Sequence, residues 1–408
     1  MHPSRVSPPG EPSGGRDATE PSLSETHHIY LLPGFFGFIN FGRLIYFGHV
    51  REALERWFDG RGIRAEIHRI RVSPTASLRA RAAQILDGIA QTSTGGPIHL
   101  IGHSTGGLDA RLLCTPGVAL KSNGVAVEEF ARRVRTVVSV SAPHYGTPLA
   151  SFFTGMFGQK ILRLFSLATV TILRQGRLPL GLMAQLASTI ARLGLPGSQT
   201  GALLDHIEAE LLGRIDDEER EPMAQFLSDI SADQGLLPQL TPDGIDLFNA
   251  TAQDREGVRY GCVVSKARRP RLMQHFAVGP RPTRQATFLL YRWLHGATGN
   301  RSTERLPKPD PAQRDALIRL LGSMPQPDDN DGVVPTYSQL WGEVIYAAQG
   351  DHLDLIGHFR DPHHNPPHHD WIDTGSGFDR KSFEALWNSV SAFLAPDRRR
   401  GWFRGFGP

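Results

Sequence analysis

Two periods of hydrophobic and polar positions alternate along this chain. His28-Ile29-Tyr30-Leu31-Leu32 is a short apolar run closed by Pro33-Gly34, the text of a buried strand that ends in a turn. Ala65 to Val72 alternates as a second strand does. Ser77 then stands before Leu78, Ala82, Ile85 and Ile89, which recur at helical spacing, so the serine reads as the helix cap. Pro97 to Ile101 and Arg135 to Val140 are two more apolar strand-like runs. Strands separated by helical segments predict parallel βαβ units.

The pattern changes after Pro148. From Ser151 to Leu204 the chain has no Asp or Glu, while Lys160, Arg163, Arg174, Arg177 and Arg192 punctuate apolar text. Its spacing is helical, with breaks at Gly176, Pro179 and Pro196; residues 205–240 are more polar and also helix-like. Strand text returns at Val258–Val264 and Glu343–Ala348, and helix text at Thr287–Leu294 and Ser382–Leu394. The expected organisation is a Pro/Ser/Gly-rich disordered leader (1–26), a core in two parts (27–150 and 246–396) interrupted by a helical insertion (151–245), and a basic, aromatic tail (397–408).

Composition narrows the function classes. The 408 residues are 40% hydrophobic and 21% charged, enough to bury a sizeable core. Basic and acidic residues nearly balance, 44 against 41, and no stripe of Lys and Arg interleaved with aromatics exists outside the extreme C-terminus, so no nucleic-acid partner is expected. Two cysteines, Cys114 and Cys262, cannot make a disulfide framework or a zinc finger and are expected as buried free thiols. The N-terminal text lacks the apolar segment of a signal peptide, and no apolar run reaches the roughly 18 residues of a spanning helix. A cytoplasmic protein is expected, with peripheral membrane association open to it.

The candidate chemistry centres on Gly102-His103-Ser104-Thr105-Gly106. A serine that attacks a carbonyl must stand on a sharp strand-to-helix turn, and glycines two residues away on either side relieve the crowding there. The required context is present: strand 97–101 before it and the helix-like Gly107–Leu113 after it. Ser104 is therefore the candidate nucleophile. Its oxyanion needs two backbone amides; Thr105 follows the nucleophile, and Phe35 lies in Leu32-Pro33-Gly34-Phe35-Phe36-Gly37, the turn after the first strand. The base and its orienting carboxylate should follow in the order Ser, acid, His. His352, in Gly350-Asp351-His352-Leu353-Asp354 after the strand 343–348, is favoured among 17 histidines over His103 and His144. In Asp328-Asp329-Asn330-Asp331-Gly332-Val333-Val334-Pro335, Asp331 is favoured, with Asp329, Asp328 and Asp351 as rivals.

With these elements in order, the chain resembles the bacterial triacylglycerol lipases of the α/β-hydrolase superfamily. The resemblance rests on Leu-Pro-Gly-Phe-Phe-Gly at 32–37, Gly-His-Ser-Thr-Gly-Gly at 102–107 and Ser-Ala-Pro-His-Tyr-Gly-Thr-Pro-Leu-Ala at 141–150. Further along it rests on Leu-Thr-Pro-Asp-Gly at 240–244, Leu-Phe-Asn at 247–249, Asn-Asp-Gly-Val-Val-Pro at 330–335 and Asp-His-Leu-Asp-Leu-Ile-Gly at 351–357. It implies an α/β-hydrolase fold with a mostly parallel central sheet flanked by helices, a triad of Ser104, Asp331 and His352, and a lid formed by the insertion. It implies ester cleavage without a required cofactor. The same fold leaves open an acyltransferase, a polyester or thioester hydrolase, or a silent lipid-binding member.

Some members of that family hold a structural Ca²⁺ near the catalytic histidine. Asp354 matches one ligand position, and Asp361-Pro362 resembles a second while sitting about two residues late. The cluster of His363, His364, His368 and His369 with Asp361 and Asp370 could bind a transition metal, but a solvated Pro/His-rich loop is the favoured reading. The acid-free insertion suits a membrane or lipid-droplet surface, with Arg and Lys meeting headgroups, or else a cap packed on the core. The expected substrate is a lipid or another acyl ester.

Overall fold

A computed structural model describes residues 25–395 apart from 36–38, 42–43, 123–125, 156–157, 176–177, 180, 183–184, 187, 189–199, 216, 272–281, 300–304 and 365–368. The expected leader lies outside the described residues up to residue 24, as does the whole basic tail. Eight strands are described: β1 (His27–Leu32), β2 (Ile39–Phe41), β3 (Leu44–Ile45), β4 (Ala65–Arg69), β5 (Ile98–His103), β6 (Val134–Val140), β7 (Arg259–Ser265) and β8 (Glu343–Ala348). β2 and β3 make a small antiparallel hairpin. The other six form one sheet in the order β4-β1-β5-β6-β7-β8. Every neighbouring pair in that sheet is parallel. β5, at its centre, is buried along its whole length, as expected of a strand covered by helices on both faces.

The helices between these strands follow from their local sequence. In α1 (Val50–Asp59), Val50, Leu54, Trp57 and Phe58 share the buried face. In α2 (Leu78–Thr92), Ser77 Oγ accepts the amide of Ala80, so the residue read as a cap does satisfy a helix-end donor. Next come α3 (Thr105–Cys114), α4 (Val127–Ala131), α5 (Pro148–Phe153), α6 (Gly158–Gln175), α7 (Thr200–Leu212) and α8 (Asp217–Ala232). Both cysteines are free and buried.

α6 resolves the acid-free stretch. Ile161, Leu164, Leu167, Ala168 and Val170 are almost completely buried, so a helix apolar on nearly every side has been swallowed by its neighbours. Two of its cations find their partners one helix later, where Lys160 binds Asp205 at 2.7 Å and Arg163 binds Glu208 at 2.5 Å. Two of the five cations of the acid-free stretch are thus paired within the chain by α7.

The strand order places the site. The chain runs from β1 outward to β4, returns to β5 on the other side of β1, and then moves away through β6, β7 and β8. The carboxyl ends of β1 and β5 therefore open onto the crevice where the winding reverses, the usual ligand position in open α/β sheets. The turn after β1 carries Phe35 and the turn after β5 carries Ser104. This is the α/β-hydrolase architecture. Among the described residues no helix is long and apolar enough to cross a membrane.

Candidate active site

Ser104 has φ 54° and ψ −126°, a backbone region that residues with a Cβ occupy only when the surroundings impose it. The surroundings here are steric and local. A Cβ on Gly102 would stand 2.2 Å from the Gly106 carbonyl, and one on Gly106 would stand 2.3 Å from Leu32 O. Strand, turn and helix can close on one another only with hydrogen at both positions. The Ser104 amide donates to Val140 O at 2.8 Å, tying the turn to β6. Thr105 opens α3, so its amide has no intrahelical acceptor and is free in direction for a ligand. Phe35 and Thr105 line one cavity together with Ser104 and His352. The expected oxyanion amides are thus in the same place as the expected nucleophile.

The candidate base and the candidate acid lie side by side. His352 Nδ1 lies 2.8 Å from Asp331 Oδ2, both residues being almost fully buried. The two loops are further joined where His352 N donates to Asp331 O at 3.1 Å. Asp331 is saturated with donors: Val333 and Val334 amides reach Oδ1, while Ser265 Oγ and Gln339 Nε2 reach Oδ2. A carboxylate so surrounded is fixed in direction. Among the described residues no hydrogen bond joins Ser104 Oγ to His352; the two share the cavity wall, a separation common in free enzymes.

The rivals are occupied elsewhere. Asp329 is bound by Lys266 at 2.8 Å and by Arg269 at 2.7 Å, and Asp328 pairs with the same arginine. Asp351 accepts the amides of Leu353 and Asp354 with Oδ1. His144 sits in a buried network with Ser139 and Arg111.

His103 proves to be a bridge. Its Nε2 lies 2.8 Å from His352 O, and since a carbonyl can only accept, Nε2 carries the proton. Burial holds this imidazole well below its ordinary pKa, hence neutral, which leaves Nδ1 to accept the Tyr46 hydroxyl at 2.6 Å. The Tyr46 oxygen in turn accepts the Gly34 amide at 3.0 Å. One directed chain of hydrogen bonds therefore links the Phe35 turn to the backbone of His352. Sequence reading missed Tyr46, Ser265 and Gln339, because none belongs to a short motif: Tyr46 and Ser265 lie 57 and 66 residues from the groups they hold, and Gln339 reaches Asp331 from eight residues on.

A second support acts on the same turn. Arg81 and Asp109 are both fully buried, with Nη2 and Nε 2.7 and 2.9 Å from Asp109 Oδ2. The same Nη2 also donates to Pro33 O at 2.8 Å, immediately before Gly34. Removing one partner of such a pair leaves a buried charge and costs about 3–5 kcal/mol. Arg81→Met is therefore expected to lower the unfolding midpoint sharply and to reduce kcat about 10- to 100-fold by loosening the turn. The double variant Arg81→Met/Asp109→Leu should regain most of the midpoint but not kcat. Denaturant unfolding and steady-state kinetics on the same preparations test both halves.

The cavity is apolar apart from its reacting end. Leu149, Phe153, Leu162, Phe165, Leu237 and Leu294 contribute to its wall, with Leu162 and Phe165 coming from α6. Residues 153–165 thus supply part of the cavity wall.

The expected Ca²⁺ ligands come together only in part. Asp354 is buried, and among the described residues the ligand atoms of Asp351, Asp354 and Asp370 lie within 4.8 Å of one another, a group that does not include Asp361. The later carboxylate comes from the end of the His-rich loop, a closure that spacing from the histidine could not indicate. Burial pushes the Asp351 carboxyl up to about 7 and raises Asp354 strongly, and Asp351 Oδ2 has no hydrogen-bond partner. Three converging carboxylates, two of them buried, with an orphaned oxygen fit a hard divalent cation. Of the His-rich cluster weighed for a transition metal, His368 lies outside the described residues, and no metal grouping includes His363, His364 or His369.

No family model matches the chain, and no curated protein matches it. Solved structures do resemble it. A metagenomic carboxyl esterase is 15% identical, with 96% of this chain and 81% of that one covered and a TM-score of 0.46. Lipase 1 from Pelosinus fermentans is 16% identical over 90% of this chain and 99% of its own, with a TM-score of 0.48. The Staphylococcus hyicus lipase is 15% identical over 93% and 98%, also with a TM-score of 0.48. At such identities the likeness concerns the fold alone.

Proposed function

We propose that this chain is a serine hydrolase of carboxylic esters, acting on lipid or other acyl esters with an apolar acyl group. The supporting observation is the strained Ser104 on the wall of an apolar cavity it shares with His352, whose Nδ1 is held 2.8 Å from the buried Asp331. With Nδ1–H donated to Asp331, His352 keeps Nε2 as an acceptor. It takes the Ser104 proton as Oγ attacks the ester carbonyl, and the oxyanion forms against the Phe35 and Thr105 amides. The imidazolium then returns the proton to the departing alkoxide. Water, activated by the same nitrogen, cleaves the acyl-enzyme.

No metal takes part in these steps. Asp351, Asp354 and Asp370 would hold a Ca²⁺ whose chemistry is structural, neutralising buried carboxylates beside the His352 loop. Ca²⁺ should raise the thermal unfolding midpoint of the chelator-treated protein by several degrees. Asp354→Asn should remove that rise, and a midpoint indifferent to Ca²⁺ in the native chain would refute the assignment.

The function is tested with a p-nitrophenyl ester series from acetate to palmitate, run beside fluorophosphonate labelling and an added alcohol acceptor. Serine-dependent turnover extending to long chains, greater when the substrate forms an interface, supports a lipase. Turnover confined to short chains makes the protein a carboxylesterase. A new ester formed on the alcohol moves the reaction to acyl transfer, and absence of labelling refutes the nucleophile.

A further inference from the structure

We propose that His28, Glu66 and His68 form a binding site for one zinc-type divalent ion at the sheet edge remote from Ser104. Parallel register sets His28 of β1 opposite Glu66 of β4, and Tyr30 opposite His68. With period-two alternation, His28, Glu66 and His68 then project from one face of the sheet. The face is the one that carries Tyr30, Leu32 and Ile70 into the α2 side of the core.

The three potential ligand atoms already converge. His28 Nδ1 is 3.3 Å from His68 Nε2 and 3.5 Å from Glu66 Oε2, and the last two atoms are 3.6 Å apart. Ligands bound to Zn²⁺ at about 2.0–2.2 Å with tetrahedral angles stand roughly 3.3–3.6 Å from one another. A cation centred on this triangle therefore needs little movement of its ligands. Two imidazoles and one carboxylate are also the donor set of open zinc sites, in which water completes the fourth position. Glu66 is about half exposed, 52% by side chain, so that position faces solvent.

The outer contacts are those a bound imidazole needs. On the far side of the His28 ring, Nε2 lies 3.5 Å from Thr94 Oγ1. Such a partner holds a metal-binding histidine in one tautomer and one orientation. His68 is stacked on Tyr30, ring centroids 4.8 Å apart, which restricts its rotation. The cations whose fields reach these imidazoles are engaged elsewhere: Arg133 bonds Gly96 O and Ser93 Oγ, and Arg51 bonds Glu55. Because β4 is the edge strand, an ion here would tie that edge to its neighbour.

The test uses the untagged full chain, stripped with a chelator and titrated with Co²⁺ and then Zn²⁺. One equivalent of Co²⁺ should give the intense visible absorption of tetrahedral coordination, and one equivalent of Zn²⁺ should discharge it. His68→Ala and Glu66→Gln should each lose this signal, while circular dichroism and p-nitrophenyl ester turnover stay unchanged. Zn²⁺ should raise the unfolding midpoint of the native chain and not of His68→Ala. A chain that binds neither ion, or whose spectrum survives both substitutions, overturns the proposal. A spectrum lost in Asp354→Asn instead would move the ion to the acidic cluster and overturn it equally.

Discussion

Ser104→Ala is expected to lower kcat for a p-nitrophenyl ester by about 10⁴- to 10⁶-fold while leaving the protein folded. The residual rate belongs to the cavity and the Phe35 and Thr105 amides, which the substitution leaves in place. Stability should hardly change, because alanine keeps the Cβ that makes φ 54° unfavourable. Ser104→Gly separates the two effects. It should be as inactive as the alanine variant yet more stable by about 1 kcal/mol, since glycine relieves the strain. A denaturant midpoint for the three proteins, read beside their rates, shows whether the strained turn serves chemistry at a cost in stability. An alanine variant with more than a small fraction of native kcat would exclude Ser104 as nucleophile.

Asp331→Asn is expected to lower kcat by about 10⁴-fold through the tautomer of His352. The argument follows from hydrogen-bond directions around the carboxylate. Oδ1 accepts the fixed backbone amides of Val333 and Val334, so an asparagine must place its oxygen there. Its NH₂ group then faces His352 Nδ1, which has to become the acceptor. The proton moves to Nε2, the nitrogen that should take the proton of Ser104, and the base is lost. The same NH₂ confronts Gln339 Nε2, so a modest loss of stability accompanies the loss of rate. Combining Asp331→Asn with Ser104→Ala should be no worse than Ser104→Ala alone, because the residues act as a unit. Additive losses in the double variant would mean that Asp331 acts on something other than this serine.

Much of this was readable along the chain, for reasons of period and local chemistry. Glu343–Ala348 is a strand with the bounds its pattern suggested, and Ser77 caps α2, because an apolar run and a serine before helical spacing are local facts. The Ala65–Val72 strand is shorter, ending at Arg69, because ladder pairing with β1 stops there. Gly102 to Gly106 announced the strained turn, since only glycines let strand, serine and helix approach so closely. Asp331 could be preferred from its neighbours Gly332 and Val333. Its rival Asp329 was set aside only in space, by Lys266 and Arg269.

Other features exist only in three dimensions. The acid-free insertion reads as a cationic surface in one dimension, yet Asp205 and Glu208 lie across from Lys160 and Arg163 once α6 and α7 pair. Asp370 joins Asp351 and Asp354 across a loop whose length says nothing of its path. Tyr46 and Arg81 hold the Phe35 turn from 12 and 48 residues away, through single hydrogen bonds that leave no periodic trace. His28, Glu66 and His68 meet because β1 pairs with β4 in one register, and a shift of one residue would turn them to opposite faces. Sequence by itself determined most of the elements and the candidate reacting groups, which depend on neighbours a few residues apart. Tertiary structure decided their partners, because burial, charge pairing and ligand convergence depend on distances that only the folded chain sets.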